Sequence, residues 1–190
     1  MFMKNLMLSI IFLAMCNKAI AQIHISKMSG GSVITKLSMG IKVNENSTLM
    51  REWSILNDET SPIQTSNLGI NTAYAGSAYY FIANGNLSIK EPITAYEIHY
   101  VLYDIFGAYM NTLSTVYVGD LVDVNDIKKS NWYASEHQVS EYYACVSYVA
   151  TVRNAKGIIW KCNYKKIKEE LNKIEISYEE SYLPKNEKDK

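Results

Sequence analysis

Along much of the chain, apolar residues recur at every second position, the period of a strand with one face buried. The clearest case is Ile93 to Tyr103. Tyr96, Ile98, Tyr100 and Leu102 share one face, and Glu97, His99, Val101 and Tyr103 share the other, so the pattern predicts a half-buried strand. Asp104-Ile105-Phe106-Gly107 follows. Asp first and Gly fourth suit a type I turn closed by a left-handed residue, the three-residue hairpin loop with a bulge. An extended run to Val118 should return beside the first strand. Glu141 to Val152 alternates in the same way, with Tyr142, Ala144, Val146, Tyr148, Ala150 and Val152 on one side. Asn154-Ala155-Lys156-Gly157 supplies the next turn, and Ile158 to Tyr164 the return strand. Pairing Asn154 with Ile158 sets Val152 opposite Trp160, Ala150 opposite Cys162 and Tyr148 opposite Tyr164, all on one apolar face.

The remaining elements are weaker. Residues 22–49 read as one or two edge strands interrupted at Gly30-Gly31. Met50 to Leu56 is a strand carrying Trp53, and Asn57 to Pro62 is a turn cluster. Ser77 to Ala83 reads as a strand that Asn84-Gly85 would close, with Leu87 to Ile89 returning beside it. Near the C-terminus the period changes. Ile167, Leu171, Ile174 and Tyr178 are spaced four, three and four apart among Lys and Glu, which predicts a short amphipathic helix with a Glu169–Lys173 pair, with a strand as the alternative for Ile174 to Tyr178. Short strands with hairpin turns, and helix only at the end, define an all-β, immunoglobulin-like antiparallel β-sandwich with a short C-terminal helix.

Ahead of these elements stands a different pattern. Lys4 is the only charge before residue 18, Leu6 to Met15 is a short apolar run, and Ala19-Ile20-Ala21 precedes Gln22. Basic, apolar and A-x-A segments in that order predict a signal peptide over 1–21, cleaved before Gln22. The run is too short to span a bilayer, so a membrane-spanning chain is not expected. Cys16 raises the alternative of a lipid anchor, but Met15 stands where a lipobox requires a small residue. The domain plan is therefore a signal over 1–21, one sandwich domain over 22–182 and a charged flexible tail over 183–190. Lys4 and Lys18 leave with the signal, which tips a formally neutral chain to a small negative charge. That argues against nucleic acid and against a polybasic membrane role. The expected address is periplasmic or secreted.

Tyr100-Val101-Leu102-Tyr103-Asp104, followed by Gly107, resembles the F-x-L-Y-D signature of bacterial extracytoplasmic immunoglobulin-like domains, with Tyr100 in the place of Phe. The resemblance spans about Ala73 to Ala150. Val149 to Arg153, then Gly157 and Trp160, is similar to the closing hairpin of uncharacterised secreted bacterial proteins. What the resemblance implies is a fold and an address, and it carries no catalytic residues.

The candidate chemistry is sparse. His24, His99 and His137 stand in no zinc-like spacing, and the four-residue step from His137 to Glu141 means little in a loop running into a strand. Asp104 reads as a turn residue whose carboxylate caps backbone amides, and Asp58-Glu59 as a solvated turn. No catalytic, cofactor-binding or metal-ligating residue is assigned. Trp53 and Trp160 belong to the core. Trp132, in the polar stretch from Lys128, is either a plug on the sandwich end or an exposed contact. Tyr79, Tyr80 and Tyr109 are candidates for exposed aromatic surface. Cys145 and Cys162 fall on opposite faces of one sheet, which predicts two free thiols with Cys162 the more buried. The function expected is that of a non-enzymatic domain binding a protein or cell-envelope component. The alternatives are a secreted hydrolase with a dispersed site and a carbohydrate-binding module.

Overall fold

The computed structural model describes residues 22–32, 50–121 and 126–184. The expected signal at 1–21, residues 33–49 with the further edge strand expected there, and positions 185–190 of the expected tail lie outside them. Among the described residues, nine strands form two sheets: β1 (Ile23–Ser32), β2 (Met50–Asp58), β3 (Ile63–Ala75), β4 (Ala78–Ile89), β5 (Ile93–Asp104), β6 (Tyr109–Leu121), β7 (Asn131–Ala134), β8 (Tyr142–Asn154) and β9 (Ile159–Lys161). Two short helices, α1 (Glu136–Glu141) and α2 (Tyr164–Asn172), complete the set with a 3-10 turn at Glu180–Tyr182. The larger sheet runs β1-β2-β8-β5-β6, with β9 on the C-terminal end of β8. The smaller runs β3-β4-β7. The protein is an all-β sandwich. Every pairing is antiparallel except β2 with β8, which is parallel.

Between the sheets lies the main core, built from residues such as Trp53, Leu68, Ile70, Phe81, Ile98, Tyr100, Leu102 and Tyr142. Trp53 anchors it. Its indole donates to the Tyr142 hydroxyl at 3.1 Å, and Tyr142 donates on to the Ile70 carbonyl. The ring sits between two glycines: a Cβ at Gly30 would lie 2.5 Å from the indole, and one at Gly69 would lie 2.2 Å from it. These glycines are required by close approach rather than by backbone angle. The predicted break at Gly30-Gly31 is therefore replaced by a continuous β1 with a register shift between Ser29 and Ser32.

A second core covers the other face of the large sheet. Val101, Tyr103, Val146, Tyr148 and Ala150 meet Ile167 and Leu171 of α2, and Tyr178 beyond it. The expectation of a half-buried β5 is thus corrected: His99, Val101 and Tyr103 are buried as fully as Ile98 and Leu102. The helix is also shorter than its apolar spacing implied. It ends at Asn172, and Ile174 to Tyr178 crosses the sheet as an irregular strap. Lys173 pairs with Glu170 at 2.6 Å instead of Glu169.

The two hairpins read from Asp–Gly and Asn–Gly spacing are present. Asp104 accepts from the backbone N–H groups of Phe106 and Ala108, both at 2.8 Å, and Gly107 has φ 80°. In the second, Gly157 has φ 83° and Val152 pairs with Trp160 as expected. The return strand stops at Lys161, and Tyr164 opens α2 rather than pairing with Tyr148. The Asn84-Gly85 hairpin does not form. β4 runs straight through it, and the turn is Gly76-Ser77, with Ala75 opposite Ala78. At Gly85 two residues of β3, Asn67 and Leu68, bulge against one, and a Cβ at Gly85 would meet Leu68 at 2.7 Å.

The faces of β8 also need correction. Cys145, Ser147 and Val149 point into the main core rather than outward. Ala150 is an extra residue against β5, where Glu97 pairs Thr151 and Ile98 pairs Val149. Both thiols are free and lie on opposite faces, but Cys145 is the more buried at 1% exposure against 8% for Cys162.

Candidate binding surfaces

Each histidine meets one glutamate. His24 and Glu59 pair at the surface at 2.7 Å, and the His24 hydrogen bond holds Glu59 below the usual carboxylate range. His137 and Glu141 pair at 3.1 Å along α1. The segment read as loop into strand is therefore a helix, and the four-residue spacing does bring the two together. Ser135 caps it, with Gln138 completing the capping box. His99 is the buried one. Its Nε2 lies 2.8 Å from Glu97 and its Nδ1 lies 3.2 Å from the Tyr148 hydroxyl, which is 2.7 Å from the Tyr178 hydroxyl. Glu97 is held below its ordinary range chiefly by the His99 hydrogen bond, against the opposing effect of partial burial. Burial pushes the Tyr178 phenol up to about 12. Both ring nitrogens of His99 are occupied internally, so the chain of four side chains fastens the strap to β5. Among the described residues, no group of three or more His, Cys, Asp and Glu is placed to hold a metal ion.

Asp104 is the amide-capping turn residue anticipated from the sequence. Asp58 plays the same part for Thr60, whose N–H and hydroxyl both reach it. Trp132 lies on β7 rather than in a loop, and packs edge-on to Tyr100 at the rim of the main core. Trp160 is half-buried, touching both cores and donating to Thr60.

The small sheet differs from the large one in its charge. None of the strand residues of β3, β4 or β7 is charged. Phe81, Ala83 and Leu87 of β4 enter the core, so Tyr80, Ile82, Asn84, Asn86 and Ser88 face outward. Pairing aligns Ala73, Tyr80 and Tyr133 in one row, and Asn71, Ile82 and Asn131 in the next. Tyr80 and Tyr133 meet ring to ring at 4.8 Å, and Tyr133 is 79% exposed. Tyr74 and Tyr79 form a second pair at 4.8 Å on the opposite, core-facing side, at the end nearest the Gly76-Ser77 turn. The outer face is thus a plane of tyrosine, asparagine, serine and glutamine around Ile82. Of the tyrosines expected at the surface, Tyr80 lies on this face while Tyr79 packs against the main core, and the face itself was missed because β3 was not recognised.

Two hollows flank the β5–β6 hairpin. One, of about 220 Å³, is bounded by Lys27, Glu52, Tyr103, Asp104 and Ile176 among others. The other, of about 240 Å³, is bounded by Phe81, Leu102, Asp104, Met110 and Glu141 among others. Comparison with known proteins found no matching family model, no similar curated protein and no similar solved structure.

Proposed function

We propose that this chain is an exported, non-enzymatic binding domain of immunoglobulin-like type. Its partner is a protein or a component of the cell envelope, and contact is made through the outer face of β3, β4 and β7. One observation carries the reading: a solvent-facing sheet whose strands hold no charged side chain. Open protein surface is ordinarily rich in Lys, Glu and Asp, and loss of charge with gain of aromatics marks the centre of interfaces. Tyrosine with Ser and Asn is the chemistry of antibody paratopes, large contact area at low rotamer cost beside adaptable hydrogen bonding. The strands behind the face are rigid, since β4 is anchored in the main core through Phe81, Ala83 and Leu87.

The test is site-specific photo-crosslinking in intact cells, with p-benzoylphenylalanine in place of Tyr133. A discrete protein adduct that disappears in Tyr80→Lys supports the reading. A polysaccharide adduct would replace it with the carbohydrate-binding alternative. No adduct, or one that survives Tyr80→Lys unchanged, overturns it.

A further inference from the structure

The tip of the β5–β6 hairpin presents two apolar side chains to solvent. Ile105 is half-exposed and Phe106, at 92%, is the most exposed large hydrophobic residue of the described chain. A mobile loop could carry such residues without consequence, but this backbone is fixed. Asp104 holds the N–H groups of Phe106 and Ala108, Gly107 donates to the Asp104 carbonyl at 3.1 Å, and Asp104 donates to the Ala108 carbonyl at 3.0 Å. A phenyl ring held out on a closed turn is pre-organised, and pre-organisation removes part of the entropic cost of docking. Aromatic residues seated in a partner's pocket are the usual energetic centre of an interface.

The surroundings decide what kind of partner fits. The hollows on either side of the tip share Asp104 in their walls. Glu52 and Glu175 stand in one and Glu141 in the other. Lys27 in the first hollow and His137, paired with Glu141, are the basic groups beside these carboxylates. Apolar side chains line both hollows as well: Tyr103 and Ile176 in one, Leu102 and Met110 in the other. Apolar side chains beside a carboxylate suit an aliphatic stem ending in an ammonium or guanidinium group. An anionic lipid surface is the wrong sign for this rim.

We infer that the hairpin end of the sandwich is a second docking surface, separate from the tyrosine face, that receives a protein surface carrying Lys or Arg on both sides of an apolar pocket, with Phe106 as the inserted anchor. The acidic rim steers and orients the partner, and the ring supplies contact area. The inference stands independently of the small-sheet reading, because the two surfaces share no residue.

The experiment uses the full chain expressed in intact cells, with p-benzoylphenylalanine replacing Phe106. It is run with an otherwise wild-type sequence and with Glu52→Lys, Glu141→Lys and Glu175→Lys together. Rim charges act mainly on encounter, so the expected result is one protein adduct whose yield falls at least about fivefold in the charge-reversed chain. The crosslinked peptide should carry Lys or Arg beside the attachment point. Thermal melting of the charge-reversed chain is the control for folding, and its midpoint should stay within about 4 °C of the parent. Absence of an adduct at 106, a lipid adduct, an adduct indifferent to the three reversals, or attachment to a segment without basic residues would each overturn the inference.

Discussion

The two sheets of this sandwich treat their outer faces in opposite ways. The large sheet is covered over much of its outer face by the chain's own C-terminal segment: α2 and the strap to Tyr182 fill it with Ile167, Leu171 and Tyr178. The small sheet has nothing over its outer face among the described residues, yet its strands carry no charge. The contrast separates two uses of an uncharged sheet. On the large sheet, apolar residues serve folding, and their loss should be felt as instability. On the small sheet, tyrosine and asparagine serve no internal contact of that size, and their loss should be felt in binding.

The largest expected effects fall on the large sheet. Leu171→Ala removes a fully buried side chain from the second core and should cost about 2–5 kcal/mol by the cavity it leaves, a value that urea unfolding can read. A cost below about 1 kcal/mol would mean that the strap is not a true layer of the fold. Next comes Gly157→Val. At φ 83° a β-branched residue is strained, so a loss of about 1 kcal/mol or more is expected. Melting within a degree of wild type would contradict the hairpin assignment.

A smaller effect depends on pH. The native Glu97 carboxylate is held below its unfolded value by His99. A depressed carboxylate contributes stability that is present above the unfolded pKa and is lost as pH falls through the folded one. Stability should therefore decline on acidification below the ordinary carboxylate range. Glu97→Gln should flatten that part of the profile while leaving the neutral tyrosine pair Tyr148–Tyr178 in place. An unchanged acid limb in the variant would show that Glu97 contributes nothing. Smallest of all is Tyr100→Phe. The Tyr100 and Thr115 hydroxyls are buried without a hydrogen bond of good geometry, although Thr115 lies close enough to Tyr100 to act on its phenol. Removing an unsatisfied hydroxyl should leave stability unchanged or slightly raised. Urea unfolding showing a loss above about 1 kcal/mol would mean that the hydroxyl has a partner after all.

How far the sequence revealed this contrast follows from where a strict period survives. β5 and β8 alternate cleanly enough to be read, β2 and β6 were read only as extended runs, and the Asp104 and Gly157 turns follow from residue type. β3 was hidden because the bulge at Asn67-Leu68 breaks its period in the middle and because its polar side chains look like a loop. The same bulge made Asn84-Gly85 resemble a hairpin turn, when the glycine is there for the approach of Leu68. The inner and outer sides of β8 were exchanged because both its faces are buried, and alternation cannot say which buried face meets the second sheet. The helix α1 escaped notice for its shortness, though Ser135 and Gln138 supplied the capping signature. The uncharged face was legible in composition only once β3, β4 and β7 could be placed side by side.

The account turns on whether the small sheet is uncharged for the sake of a partner or for the sake of the fold. Thermal melting of the double variant Tyr80→Lys, Tyr133→Glu tests this directly. The two positions face each other on the outer side of adjacent strands, so the new charges are paired and open to water. If the face is kept for a partner, the midpoint should stay within about 4 °C of wild type, the shift expected for roughly 1 kcal/mol in a domain of this size. A fall of more than about 10 °C would contradict the account, because the absence of charge would then be a condition of folding.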